Sequence, residues 1–177
     1  IMGVRQSLGL FLEPITNFMN SGKEFFSFAI GVQAIIWGLV TFFLGILIDK
    51  FGPQKILAFG IISFASGIFL MSNPTSEFTL FSATTLMGFG LGGAGMATMV
   101  SIAGKVAPVN KRSLAMGLVA AAASFGQFAV VLPTMWMNRA FGWETSLIVL
   151  ASVVIGLLIL LPLLNNTNNK SSSAQDF

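Results

Sequence analysis

The stretch GILIDKFGPQK, residues 45–55, decides how this chain folds. It is a short charged segment that interrupts two long apolar runs. Charged side chains in such a position mark the point where one helix leaves a membrane and the next one enters it. Gly45 and Gly52 have no Cβ, which permits a tight turn and a close approach of neighbouring helices. The stretch therefore predicts a tight loop at a membrane surface between two buried helices.

The composition of the whole chain agrees with a membrane environment. Of the 177 residues, 55% are hydrophobic and only 8% are charged, and the mean hydropathy is +0.87. A chain this apolar would aggregate in water, whereas lipid is a suitable solvent for it. The predicted fold class is therefore all-α, a polytopic membrane protein.

The residue types that are missing narrow the possible chemistry. The chain contains no cysteine and no histidine, which excludes disulfides, thiolate or imidazole metal sites, and catalysis by either residue. Paired intramembrane aspartates and a serine–base arrangement are also missing, so we predict no catalytic residue, no metal, no cofactor and no enzyme activity. The net charge of +3 comes from basic residues spread over short loops, so we expect no nucleic-acid partner.

Six apolar runs are long enough to cross a bilayer, which takes about 20 helical residues. They lie at 1–20, 27–48, 56–72, 78–104, 113–138 and 145–164. The connections are short, so consecutive helices should be antiparallel neighbours. Residues 1–164 thus form a predicted six-helix transmembrane bundle, and the Asn- and Ser-rich residues 165–177 form a predicted flexible linker. Because residue 1 is not an initiator methionine, we expect a fragment whose first helix is truncated.

The loops alternate in charge along the chain. Six basic residues fall on one side of the predicted bundle, namely Lys50, Lys55, Lys105, Lys111, Arg112 and Lys170. The other side has two, Lys23 and Arg139. The positive-inside rule then places loops 49–55 and 105–112 and the tail 165–177 in the cytoplasm. We expect an integral multi-pass protein of the cell (inner) membrane.

The first predicted helix has a polar face. At about 100° per residue, its polar residues fall within one arc of roughly 120°. They are Arg5, Gln6, Gly9, Glu13, Thr16, Asn17 and Asn20. Lipid cannot solvate such a face, so it must point at protein or at a water-filled cavity.

Arg5 is the principal candidate for substrate binding. Its planar fork of donors suits a carboxylate or a similar anion. Two alternatives stay open: a structural ion pair or capping contact with another helix, and a position at the cytoplasmic end of a helix whose start precedes the sequence.

Three glutamines are candidate supporting contacts to the substrate: Gln6, Gln33 and Gln127. Gln127 falls near the middle of its helix, which favours it over Gln33 as a residue lining a central cavity. Buried glutamines also bridge helices without binding a ligand, and this alternative stays open for both.

Glu13 is a candidate for proton coupling, because a carboxyl group in a low dielectric favours its protonated form. The alternative is an ion pair with Lys23 or Arg139 near the outer surface. In the fourth helix, Gly88 and Gly92 place two positions without side chains on one face, which predicts close packing of another helix.

The charged loop resembles the one between the second and third helices of the major facilitator superfamily of secondary transporters. That motif reads roughly Gly-x-Leu-Ala-Asp-Arg-x-Gly-Arg-Arg, and Pro53 departs from it by removing a basic contact and a backbone donor. The matching residues are Gly45, Leu47, Asp49, Lys50, Gly52 and Lys55. The resemblance implies the amino-terminal six-helix half of a twelve-helix transporter, whose partner would be a second six-helix bundle.

The same resemblance implies a cytoplasmic gate, in which charged residues latch the two bundles together during alternating access. The candidate gate residues are Gly45, Asp49, Lys50, Gly52, Lys55, Lys111 and Arg112.

Several local stretches look like the monocarboxylate and oxalate/formate exchanger branches of that superfamily. They are GVRQSLG at 3–9, KRSLAMG at 111–117, SFGQ at 124–127 and GW at 142–143. Glu144 follows where these branches often have arginine. The fifth helix lacks the Gly-x-x-x-Gly-Pro-x-x-Gly-Gly pattern of many drug/proton antiporters.

The expected function is secondary active transport of a small solute, a small organic anion such as a monocarboxylate, by symport or antiport. One alternative is uptake or efflux of another small molecule by the same fold. The other is a non-transporting six-helix membrane module that dimerises or scaffolds a partner.

Overall fold

A computed structural model describes residues 1–162 and, at Asp49, only the backbone. All regular structure in this part of the chain is helical, which confirms the predicted all-α class. Within residues 1–162, five helical segments are long and apolar enough to cross a membrane: Lys23–Ile48, Pro53–Met71, Glu77–Val106, Val109–Phe141 and Trp143–Leu160. The predicted linker at 165–177 and the last residues of the predicted bundle lie outside the described residues.

Eight α-helices follow one another along the chain. They are α1 (Met2–Ser7), α2 (Leu12–Met19), α3 (Lys23–Phe51), α4 (Pro53–Met71), α5 (Glu77–Ala94), α6 (Met96–Val106), α7 (Arg112–Phe141) and α8 (Trp143–Gly156). Short 3-10 turns occupy Leu8–Phe11, Val109–Lys111 and Leu157–Leu160.

The first predicted span is not one continuous helix, and this part of the prediction is wrong. The 3-10 turn at Leu8–Phe11 divides it into α1 and α2. Pro14 has no N–H to donate to the carbonyl of Leu10 four residues earlier, so the regular α-helical ladder cannot pass this point. The side-chain amide of Asn138 on α7 donates instead to the Leu10 carbonyl oxygen at 3.5 Å.

The fourth predicted span is also interrupted. α5 ends at Ala94, Gly95 is extended with φ −79° and ψ −179°, and α6 begins at Met96. The break releases the carbonyl of Gly92, which accepts a buried 2.7 Å hydrogen bond from the hydroxyl of Thr98. The Thr98 hydroxyl thus satisfies one of the carbonyls that the end of α5 would otherwise leave without a partner.

The charged loop at 49–55 is shorter than predicted. α3 continues to Phe51 and α4 begins at Pro53, so Gly52 alone joins the two helices. Its φ of +83° lies where glycine is strongly favoured. Pro53 occupies the first position of α4, where a missing N–H costs no helical hydrogen bond, so its departure from the motif fits the turn.

Gly45 does not make the close helix contact that the sequence predicted. A Cβ at this position would meet nothing within 4 Å among the described residues. The reason is that Gly45 lies on an exposed face of α3, about two turns before the bend at Gly52.

The core of the bundle is the contact between α4 and α5, in which more than half of the residues are buried. The two backbones come close together at Gly60 and Gly90. A Cβ on Gly90 would lie 2.5 Å from the backbone nitrogen of Phe64, and one on Gly60 would lie 2.6 Å from that of Ala94. The hydroxyl of Ser63 also donates to the carbonyl of Leu86 at 2.7 Å.

α5 packs against α3 on another face. A Cβ on Gly88 would lie 3.0 Å from the carbonyl oxygen of Gln33, and one on Gly92 would lie 2.6 Å from Val40 Cγ1. The predicted role of Gly88 and Gly92 in close helix packing is confirmed. α7 contrasts with both helices, because Thr134 is its one buried residue.

Candidate functional site

A cavity of about 280 Å³ lies between the first span and α3. The first span contributes Arg5, Leu8, Gly9 and Leu12, and the chain around the start of α3 contributes Phe26, Ser27, Ile30 and Gln33. Leu8, Phe11 and Ile15 of the first span are buried in the core. Of the predicted polar face, only Arg5 and Gly9 line this cavity. The other members are exposed or, at Thr16, buried, because the 3-10 turn divides the span.

Arg5 reaches this cavity without an acidic partner. Its Nε is buried and has no hydrogen-bond partner. Glu13 pairs with Lys23, and no carboxylate whose side chain is described forms an ion pair with Arg5. The guanidinium instead lies over the indole ring of Trp37, with Cζ 4.9 Å from the ring centroid. A cation in this setting is available to an anionic ligand, because no described carboxylate competes for it.

Gln33 lines the same cavity and is 1% exposed. Neither Nε2 nor Oε1 of its side chain has a hydrogen-bond partner. A buried amide without partners costs about 1–3 kcal/mol, so such groups are uncommon unless a ligand or water satisfies them. The site can therefore offer one cation, two amide N–H donors and one carbonyl acceptor to a bound molecule.

The structure brings Arg5 and Gln33 together, but not the other two glutamines. Gln6 is exposed on the outer side of α1, and Gln127 is half-buried on α7. Neither lines the cavity that holds Arg5. Among the described residues, Gln33 and not Gln127 lines the cavity of Arg5. Position along a helix does not fix the direction in which a side chain points, and substrate contact by Gln6 or Gln127 remains a prediction.

Trp37 is the residue of this site that the sequence analysis missed. It lies one helical turn after Gln33, and residues four apart on a helix share a face. That spacing was a usable signal. In an apolar helix, however, the sequence does not distinguish an aromatic residue of a binding site from one that faces lipid or the core.

Glu13 lies at the surface of the bundle. Its carboxylate forms an ion pair with Lys23 Nζ at 3.2 Å, and the two side chains are 73% and 62% exposed. This geometry matches the structural alternative considered for Glu13. A role in proton coupling remains a prediction.

The predicted gate residues lie near chain reversals. Lys50 and Lys55 are exposed on either side of Gly52, and Lys111 and Arg112 are exposed at the start of α7. The side-chain amide of Gln54 donates to the carbonyl of Leu161 at 3.3 Å, so the end of the described chain meets the start of α4. The side chain of Asp49 lies outside the described part, and the gate itself remains a prediction.

A second, larger cavity of about 490 Å³ has an apolar lining. It lies between the start of the chain, α4, α7 and the helix break at Gly95, with Leu57, Ile61, Met99 and Ala123 among its walls. α1 packs directly on α7 beside it, because a Cβ on Gly3 would meet the carbonyl oxygen of Gly126. This cavity offers contact area but few groups that select an ion.

A family model described as Major Facilitator Superfamily matches residues 1–176. The chain therefore belongs to this superfamily, whose members are membrane transporters and not enzymes. The several membrane-spanning helices make it an integral multi-pass membrane protein.

Three curated proteins are similar in sequence. The agnestins efflux protein of Paecilomyces divaricatus is 29% identical over 70% of this chain and 27% of its own length. An uncharacterized MFS-type transporter of Bacillus subtilis (strain 168) is 27% identical over 90% of this chain and 39% of its own length. The vesicular acetylcholine transporter of Drosophila melanogaster is 33% identical over 73% of this chain and 23% of its own length. The chain thus matches well under half the length of each, and no solved structure matches it.

Proposed function

We propose that this member of the superfamily transports a small organic anion, such as a monocarboxylate, across a membrane by alternating access. In this proposal, residues 1–164 are the amino-terminal six-helix bundle of a longer transporter. A second six-helix bundle completes the pathway, and residues 165–177 lead toward it.

The observation that carries the proposal is the cavity shared by Arg5 and Gln33. An unpaired arginine and an unpartnered amide in one small cavity form a set of donors for a carboxylate. The volume of about 280 Å³ suits a solute of a few heavy atoms. The cavity is partly open, and in this proposal the second bundle would cover it.

Charge distribution supports the proposed orientation. Lys50, Lys55, Lys111 and Arg112 flank the turns at one end of the helices. The other end has two basic residues, Lys23 and Arg139, together with Glu13, Glu24, Glu77 and Glu144. Under the positive-inside rule, the basic end lies in the cytoplasm. The turn at Gly52 would then form part of the cytoplasmic gate, with Asp49 and the basic residues as its latch.

The decisive experiment is uptake by the complete transporter, reconstituted in liposomes, with formate, acetate, lactate, pyruvate and oxalate as probes. We expect Arg5→Ala to raise the KM of the transported anion by about 10- to 100-fold, because a hydrogen bond to a charged group contributes about 1.5–3 kcal/mol. Arg139→Ala is the matched control, since Arg139 is exposed and does not line the cavity.

Unchanged KM for every transported anion in Arg5→Ala would refute anion recognition by this residue. Failure of the unmodified protein to move any solute, with the second bundle present, would instead favour a non-transporting membrane module.

The apolar cavity supports a second candidate function, the efflux of a larger apolar molecule. One relative is named an efflux protein, and the lining around Ala123 suits a ligand without charge. Ala123→Phe would fill part of this cavity. Loss of export of an apolar dye in this variant, with anion uptake intact, would favour the efflux function, whereas the reverse result would favour anion transport.

A further inference from the structure

The guanidinium of Arg5 needs a partner even when no substrate is bound. A buried or half-buried cation in a membrane protein is normally held by a carboxylate or by carbonyl oxygens. Within the described residues, Arg5 has neither an ion pair nor a side-chain hydrogen bond, and its Nε is buried. The one attractive contact found for its charge is the face of Trp37, 4.9 Å away.

The geometry of this contact is that of a cation–π interaction. Tryptophan has the most favourable ring for such a contact, and the useful range extends to about 6 Å from the ring centroid. Arginine can stack its planar group on the ring while its N–H groups remain free at the edge. An acidic partner would occupy those N–H groups and compete with an incoming carboxylate, whereas the ring face does not.

Trp37 is itself held in place by its surroundings. It packs half-buried against the hydrophobic core. The break between α5 and α6 provides room for the indole, because a Cβ on Gly95 would lie 3.3 Å from Trp37 Nε1. The indole therefore lies between the guanidinium of Arg5 and Gly95 at the helix break.

We propose that Trp37 is the positioning residue for Arg5: its indole face holds the guanidinium toward the cavity in place of an acidic partner and leaves the N–H groups open to an anion. This inference rests on the proposed function, since it assigns to Trp37 a task in anion recognition by Arg5. It predicts that the ring matters for substrate affinity through Arg5 and not through packing alone.

The test is a double-mutant cycle on the complete transporter in liposomes, with the fastest-transported anion of the panel above as probe. We expect Trp37→Leu to raise KM by about 3- to 30-fold with kcat changed less, and Trp37→Phe to restore most of the affinity. In an Arg5→Ala background, Trp37→Leu should raise KM by less than about twofold, because the contact is already absent.

Trp136→Leu is the matched control, since Trp136 is 64% exposed on α7 and contacts Phe141 instead of Arg5. It should leave KM unchanged. Thermal stability of each variant in detergent is measured in parallel, so that a loss of folding is recognised as such. If Trp37→Leu does not fold, Trp37→Met, which also lacks an aromatic face, replaces it in both Arg5 backgrounds.

The two proposals fail in different ways. If Arg5→Ala leaves KM unchanged, anion recognition by Arg5 is wrong, and the role of Trp37 falls with it. If Arg5→Ala raises KM but Trp37→Leu leaves it unchanged, only the positioning role is wrong. Equal effects of Trp37→Leu in both Arg5 backgrounds would also overturn that role, because they would indicate general packing.

Discussion

The contact between α4 and α5 and the cavity between α1 and α3 differ in how tightly they are packed and in whether their polar atoms have partners. In the first, backbones meet at Gly60 and Gly90, and no space remains for a single methyl group. In the second, Arg5 and Gln33 surround open space, and polar atoms remain without partners. The difference indicates that α4 and α5 supply stability, while the first span and α3 hold polar groups that have no partner among the described residues.

The largest effect should come from breaking the tight contact. Gly90→Leu places a side chain against the backbone of Phe64, which cannot move aside as a flexible side chain would. We expect a loss of about 3 kcal/mol or more, since overpacking a close-packed interface is seldom relieved by rotation. The measurement is the yield and thermal unfolding of the complete protein in detergent.

Gly156→Leu is the control for that variant, because a Cβ at the end of α8 would meet nothing within 4 Å. If Gly90→Leu were as stable as Gly156→Leu, the contact between α4 and α5 would not be as tightly packed as the structure indicates.

Replacing the unpartnered amide should separate stability from function. Gln33→Leu removes two unsatisfied polar atoms from a buried position, so we expect the free protein to become more stable by about 1–3 kcal/mol. The same change should raise the KM for the transported anion by about 10-fold. Thermal unfolding and uptake kinetics are measured on the same preparation.

Gln127→Leu serves as the comparison, because Gln127 is half-buried and does not line the cavity. A destabilised Gln33→Leu protein with normal KM would mean that this amide bridges helices and does not bind substrate.

Gly52 connects the two regions, since it joins α3 to α4. Its φ of +83° and ψ of 155° are close to the 84° and 165° of Gly142, which joins α7 to α8. Gly52→Ala should cost about 2 kcal/mol, because a Cβ strains this backbone conformation. Gly142→Ala should cost a similar amount, whereas Gly45→Ala should cost nothing, as Gly45 is helical and unobstructed.

Thermal unfolding of the three alanine variants checks this order. A slower transport rate in Gly52→Ala than in Gly142→Ala, at equal stability, would support the gate. Equal stability of Gly45→Ala and Gly52→Ala would contradict the turn geometry.

The smallest effect should come from the ion pair at the surface. Lys23→Ala breaks the pair with Glu13, and exposed pairs contribute only about 0.2–1 kcal/mol. Glu13→Gln should have a similarly small effect on thermal unfolding.

Uptake measured across pH 5–8 separates the two roles of Glu13. A pH dependence lost in Glu13→Gln but kept in Lys23→Ala would indicate proton coupling. An unchanged pH profile would indicate a structural pair.

The sequence alone determined the class of the protein, the order of the five spans from Lys23 onward and the clustering of basic residues at alternate turns. Those features depend on local hydropathy and charge, which every helix carries in its own residues. The close packing at Gly88 and Gly92 could be predicted for a similar reason, since the lack of a side chain is a property of the residue itself. The motif at 45–55 marked the correct reversal of the chain, although its turn is reduced to Gly52.

Only the tertiary structure decided which polar residues meet. The rotation of a helix turns each side chain by about 100° per residue, and a single 3-10 turn changes that rotation for everything beyond it. Side-chain directions calculated for an unbroken helix are therefore wrong beyond the breaks at Leu8–Phe11 and at Gly95. In the folded bundle, Gln33 and Trp37 lie beside Arg5, whereas Gln6 and Gln127 do not. Glu13 lies beside Lys23. Such contacts depend on several helices at once, and no single stretch of sequence contains them.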